Sequence, residues 1–253
     1  AQTRLRHGHS LSHVWTKPRI RFLPIKPSSP SLMFLSSTGS MASNALGVYK
    51  TRGLINSHLL TAETYSLMAT DITNTGASSA NRDVGSNAAA VSGTPITIGG
   101  ASNFNNAAIT QAMADAKAGS LYYQSLTAKA AMTADIVNTV FTAGAYFGPA
   151  ACTQSNVIYF DAEGDPDAVF VLNFGAAYAP AASSSNVLLN GAQANNIYIT
   201  AVGAISTGAN SNGMGTIMCD AAVTLGAGSN LTGRVLAHSA ALTMSTNVIT
   251  TPT

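Results

Sequence analysis

Four carboxylates stand at alternating positions of one short run, Asp161-Ala162-Glu163-Gly164-Asp165-Pro166-Asp167. Hard oxygen ligands at that density could hold calcium. The run lacks EF-hand spacing and its closing glutamate, however. Gly164-Asp165-Pro166 is also what a turn uses, because proline fixes φ and aspartate bonds its own backbone, and the turn is the reading adopted. The remaining candidate acids, Glu63, Asp71, Asp83, Asp115, Asp135 and Asp220, are scattered, so spacing singles out no pair for acid and base work on a polysaccharide. His58 and His238 have no evident catalytic companions, and His238 beside Ser239 reads as an exposed strand or corner residue rather than half of a triad. Cys152 and Cys219 leave two alternatives open, one disulfide or two buried thiols. Neither has the CxxC or histidine neighbour of a metal site. Catalytic residues, metal ligands and cofactors are therefore all expected to be none.

A different chemistry lies in a repeated phrase. Gly203-Ala204-Ile205-Ser206, Ala221-Ala222-Val223-Thr224 and Ala240-Ala241-Leu242-Thr243 each run small, bulky apolar, small hydroxyl, and Ala204, Ala222 and Ala241 are 18 and 19 positions apart. In a strand the central apolar residue points inward and its two neighbours outward. Coils stacked at about 4.8 Å would then align Ala204/Ser206, Ala222/Thr224 and Ala241/Thr243 in two outward columns. Thr73 and the pair Ala90/Ser92 extend the columns, and Ala177/Ala179 share the frame around Tyr178. The product is a plane of methyls and hydroxyls without charge. Such a plane can order water, with cages around methyls and bridging waters on hydroxyls.

The elements that must position these columns are short strands in a repeat. Self-similarity at this period, carried by small and β-branched residues, predicts a mostly β chain wound as an irregular parallel β-solenoid (β-helix). Asn156, Asn186, Asn212, Asn230 and Asn247, each followed shortly by an apolar residue at unequal gaps, are expected to form a column of corners. Val157-Ile158-Tyr159-Phe160 and Val169-Phe170-Val171-Leu172 are strong strand candidates. One segment differs. From about 104 to 126, alanines, Ile109 and Met113 without proline predict a single long α-helix, capped by Asn103 and burying Ile109, Met113, Ala116, Tyr123 and Leu126 along one face of the solenoid.

Composition sharpens the division of the chain. Charged residues make up only 9% of its 253 residues, against roughly 25% in ordinary soluble domains. Residues 1–52 hold eight of the twelve Lys and Arg and no acid, a charge of +8; residues 53–253 hold four basic and ten acidic residues, a charge of −6. The expected organisation is a basic leader at 1–52, disordered or processed, and one solenoid domain at 53–253. A transit-like presequence, a signal region and translated sequence ahead of Met33 or Met41 all fit the leader. The sharp alternative is a nucleic-acid arm, which no interleaved aromatics beyond Trp15 and Phe22 support. Its apolar pieces are too short for a membrane span.

Three runs in order, Asp161-Ala162-Glu163-Gly164-Asp165-Pro166-Asp167-Ala168-Val169-Phe170, Val187-Leu188-Leu189-Asn190-Gly191-Ala192-Gln193-Ala194-Asn195-Asn196-Ile197-Tyr198 and Leu231-Thr232-Gly233-Arg234-Val235-Leu236-Ala237, carry a resemblance across about Leu67 to Thr251. The chain resembles microbial ice-binding (antifreeze) proteins. That resemblance implies a discontinuous right-handed β-solenoid with a long helix beside it. It also implies a secreted, monomeric, non-enzymatic protein that adsorbs to an ice crystal surface, giving thermal hysteresis and inhibiting recrystallisation, with no nucleic-acid or membrane partner. The columns Thr73, Ala90, Ser92, Ala204, Ser206, Ala222, Thr224, Ala241 and Thr243 would map to the ice-binding face. Thr207-Gly208-Ala209-Asn210 resembles a threonine-rich motif of some members. Tyr146-Phe147 and Tyr178-Ala179-Pro180 depart from the small-residue frame and are expected to roughen the face. The alternative is a secreted carbohydrate-binding or adhesive β-solenoid, which would need a groove of aromatics and carboxylates.

Overall fold

The structure is a computed structural model, and it describes residues 57–252. The expected leader at 1–52 lies outside the described residues.

The described chain winds into a parallel β-solenoid of three faces. One face is a seven-stranded sheet. In spatial order it runs Cys152–Gln154, Tyr178–Pro180, Ile205–Ser206, Val223–Thr224, Leu242–Met244, Ile72–Asn74 and Ser92–Gly93. The other two faces share one continuous sheet because the strands Asn212–Cys219 and Asn230–Ala237 pass from one face to the next without a break. Every named strand pair is parallel, as stacked coils require, and burial alternates where only one side of a strand meets the core, as in Val157–Asp161.

The order of the coils differs from the order of the chain. The strand Tyr65–Ala69 pairs with Asn230–Ala237 on one side and with Asp83–Ser86 on the other. The first coils of the solenoid therefore dock beyond the last one. Ser102–Phe104 is the outermost strand at one end of the stack and Ala130–Ala131 the outermost on the same face at the other. The helix Ala107–Gln124 joins them. Its 18 residues span about 27 Å at 1.5 Å each, which suits a strut running along the stack.

The helix starts three residues later than expected. Asn106, not Asn103, is its cap, with Oδ1 accepting from Ile109 N at 3.0 Å; Asn103 belongs to the preceding strand. Ile109, Met113, Ala116 and Tyr123 are buried as expected, together with Ala112, Asp115, Gly119 and Ser120. They pack on Tyr65, Met68, Val171, Tyr198, Met218 and Leu236. This explains why Tyr65–Ala69, Phe170–Phe174 and Ile197–Ala201 are buried at all five positions: one side faces the solenoid interior and the other the helix. A second, larger cluster fills the interior, built on Leu67, Ile72, Phe141, Phe160, Phe170, Ile199, Val235 and Leu242.

The asparagine column does not form as expected. Asn212 pairs with Asn230, but the latter pairs with Val248, leaving Asn247 one step out. Asn186 pairs with Ile158 and is buried among core residues. The positions that turn the corner into the third face are instead Ser183, Asn210, Gly228 and Thr246, all with positive φ and linked by Ser183 N to Ala209 O, Asn210 N to Ala227 O and Gly228 N to Ser245 O bonds. Only one of the four is asparagine, which is why a search for asparagine alone missed the column.

Candidate functional site

The helix covers one face, and among the described residues the other two remain open. The seven-stranded face presents the repeated phrase. Backbone pairing sets Ser92 against Thr73, Thr73 against Thr243, Thr243 against Thr224 and Thr224 against Ser206. One step along the same register come Ala179 and Thr153, and the row ends at Asp135, which bridges to Thr153. The central apolar residues are buried as the alternation demands: Ile72, Leu242, Val223 and Ile205 are all at most 1% exposed. Ser92, Thr243, Thr224 and Ser206 are exposed and Thr73 half-buried.

Ala241, Ala222 and Ala204 stand beside this row, followed by Ala177 and Ala151. The bonds Ile205 N to Ala222 O, Val223 N to Ala241 O, Tyr178 N to Ala204 O and Cys152 N to Ala177 O fix their level. One member breaks the pattern: Leu242 N bonds Asp71 O, so Asp71 takes the place of an alanine next after Ala241. Eight of the nine sequence-derived positions thus come together on one face, whereas Ala90 is an exposed residue of the bend that precedes the strand Ser92–Gly93.

Sequence reasoning missed three parts of this surface. Ala151-Cys152-Thr153 repeats the phrase and could have been found by extending the search upstream. Asp135 lay outside any phrase; Ser155 donates to it through N and Oγ, which holds its carboxyl below the usual range. A further row, Thr94, Thr75, Ser245, Gly226, Gly208, Ala181 and Ser155, follows two residues beyond the hydroxyls. Its glycines are forced. A Cβ on Gly208 would lie 2.1 Å from Ala182 N, and one on Gly226 2.4 Å from the Gly208 carbonyl carbon.

The expected roughening does not occur. Tyr178 is 2% exposed, its ring stacked 4.2 Å from Phe174 inside the solenoid and its hydroxyl donating to Gln154 Oε1. Tyr146 and Phe147 lie in the strand Gly144–Gly148, on the face the helix covers. Period-2 alternation sends Tyr178 inward, so its size fills the core instead of the surface.

The remaining candidates are structural. Asp161 accepts from Glu163 N and Asn190 Nδ2, both at 2.8 Å, and these bonds hold its carboxyl below the usual range. Asp165 accepts from Asp167 N, and Glu163 and Gly164 take positive φ. The run is a turn. Asp115 is buried in the helix; burial pushes its pKa up, but bonds from Thr61 and Gln111 more than offset this and leave it lowered. His58 stacks on Tyr122 at 3.6 Å. His238 is not exposed as expected but 5% exposed, with Nε2 3.1 Å from Asp220 Oδ1 though without hydrogen-bond alignment. Among the described residues no group of three or more His, Cys, Asp or Glu could hold a metal, and both cysteines are buried free thiols.

Comparison with known proteins gives this geometry a context. The profile of a family described as Ice-binding-like matches residues 65–250. Ice-binding protein 1 of Shewanella frigidimarina is 36% identical over 118 residues, which are 46% of this chain and 13% of that protein. An ice-binding protein of Nostoc sp. is 32% identical over 116 residues, 46% of this chain and 43% of that protein. The chain therefore spans less than half the length of either relative. The crystal structure of an ice-binding protein from the Antarctic ascomycete Antarctomyces psychrotrophicus superimposes with a TM-score of 0.72 at 29% identity, covering 77% of this chain and 98% of that one.

Proposed function

Because this chain belongs to the ice-binding-like family, we propose that it adsorbs to ice through the seven-stranded face, lowering the freezing point and slowing recrystallisation. The carrying observation is the paired row Ser92, Thr73, Thr243, Thr224 and Ser206 with alanines beside it. Rows repeat at the strand spacing of about 4.8 Å, so hydroxyls recur at a fixed period and can anchor waters between methyls. The interior strands and the helix hold the rows in place, so water is ordered by a surface that need not rearrange to bind.

On this reading the chain is a secreted monomer that works without catalysis, cofactor, nucleic acid or membrane. No helix among the described residues is long and apolar enough to cross a membrane.

Thermal hysteresis and crystal shape, measured on the purified full chain and on Thr224→Tyr, test the proposal. The expected result is faceted crystals with a freezing-point gap for the wild type and loss of most of that gap for the folded variant. Unshaped crystals from the folded wild type would remove the ice reading and turn the search to polysaccharides. Equal activity in the two proteins would move the site to another face.

A further inference from the structure

An asparagine followed by glycine can react with its own backbone, because no side chain shields the glycine nitrogen from the asparagine Cγ. The chain holds two such pairs, Asn190-Gly191 and Asn212-Gly213, and the fold treats them differently. Asn212 and Gly213 lie in the strand Asn212–Cys219, paired with Asn230 and Leu231. A Cβ on Gly213 would stand 2.8 Å from Leu231 Cδ1. There the glycine nitrogen cannot swing toward the preceding side chain without breaking the pairing. Asn190 and Gly191 instead form an exposed turn after the strand Ser185–Leu189. Their φ values are 49° and 90°, and Ala192 N bonds Leu189 O at 3.0 Å, the tight turn that this dipeptide favours. Nothing lies within 4 Å of the place a Cβ on Gly191 would take, so the approach to its backbone is open.

Asn190 also tethers the acidic turn. Its Nδ2 donates to Asp161 Oδ1 at 2.8 Å, and its carbonyl accepts from Gly164 N at 3.0 Å. Just beyond it, Gln193 Nε2 and Asn196 Nδ2 both donate to Pro166 O. The strand before the turn belongs to the second open face and Ile197–Ala201 after it to the helix-covered one, so this corner lies away from the seven-stranded face.

We propose that Asn190 is a modification site at which the folded protein deamidates. Gly191 N attacks Asn190 Cγ; the new N–C bond forms as the Cγ–Nδ2 bond breaks, the glycine proton passes to the departing nitrogen, and ammonia leaves. Water then opens the cyclic imide at either carbonyl, giving aspartate or isoaspartate. Both products replace a donor to Asp161 with a carboxylate, and like charges this close repel. Isoaspartate also adds a methylene to the backbone of the turn. The tether to the acidic turn is lost, while the seven-stranded face is left as it was. The site does not depend on the ice reading.

Peptide mapping by mass spectrometry of the full chain, aged in mildly alkaline buffer both folded and in denaturant, tests this alongside melting of Asn190→Asp. The expected result is conversion of both pairs in denaturant but of Asn190 alone in the folded chain, with Asn212 intact. Asn190→Asp should melt about 2–4 °C below the wild type as the bond to Asp161 is replaced by repulsion. A folded chain in which Asn190 survives ageing, or in which Asn212 converts as fast, would overturn the proposal. An unchanged Tm for Asn190→Asp would overturn the loss of the tether.

Discussion

The seven-stranded face and the other open face are turned out by the same coils, yet they differ in kind. On the first, outward positions are small at nearly every level, and the bulky members of each phrase are buried. On the second, the paired row Ser79, Val248, Asn230, Asn212, Ser185 and Val157 alternates hydroxyl, branched apolar and amide. Val248 and Val140 stand 46% and 54% exposed, and the acidic turn follows the strand that carries Tyr159. A solenoid supplies regular spacing to all its faces. Flatness comes only where residue size is also held constant from coil to coil, and one face alone does this.

The strongest way to break that contrast is from inside. Tyr178→Ala removes a fully buried ring and leaves Gln154 Oε1 without its donor, so stability should fall by about 3–5 kcal/mol. Chemical denaturation reads this, and a loss under 1 kcal/mol would mean the ring does not hold the face flat. Next comes a direct comparison of bulk. Thr224→Tyr should lose most ice activity while Val248→Tyr, on the other open face, keeps it. Thermal hysteresis of the two folded variants decides, and equal losses would erase the distinction between the faces.

Acidification probes the edge where the seven-stranded face meets the helix-covered one. Burial lowers the pKa of His238 from its ordinary 6.5; Asp220 opposes this and Lys117 on the helix adds to it. The folded state thus prefers the neutral ring and the unfolded chain takes the proton first. Stability is held above pH 6.5 and lost as pH falls through that value toward the folded pKa. The Tm should drop by about 2–4 °C per pH unit at most over that window. His238→Gln should flatten the profile, and a wild-type Tm that is level across the window would refute the assignment. The smallest effect is expected at Asp71, the carboxylate in the alanine column. Asp71→Ala should raise thermal hysteresis modestly, and a decrease would show that the charge contributes to the surface.

Much of this was legible because it is local. The phrase spacing gave the rows, since a strand's alternation is a two-residue rule that Ile205, Val223 and Leu242 obey at every level. The helix was readable from alanine content, though its cap was not, because Asn103 and Asn106 are both good caps and the strand claimed the first. What failed was non-local. Nothing near Tyr65 announces that its strand will pair with Val235 and its neighbours. Corner residues share a backbone conformation and not a residue type, so Ser183, Gly228 and Thr246 carried no common signal. His238 looked exposed because its sequence neighbours are small; the residues that bury it come from other coils.

The docking of the first coils beyond the last one bears on how the protein is made. A ribosome delivers the strand Tyr65–Ala69 long before Asn230–Ala237, the neighbour that pairs with one of its edges. Ser66 waits likewise for Thr251, whose hydroxyl it meets at 2.7 Å. Until the strand Asn230–Ala237 emerges the early coils keep an unpaired edge, a surface open to wrong pairings. Closure across so long a separation also slows folding. A nascent chain arrested before Asn230 should consequently be the species that chaperones hold and proteases cut, whereas adding the last two coils releases the whole domain at once.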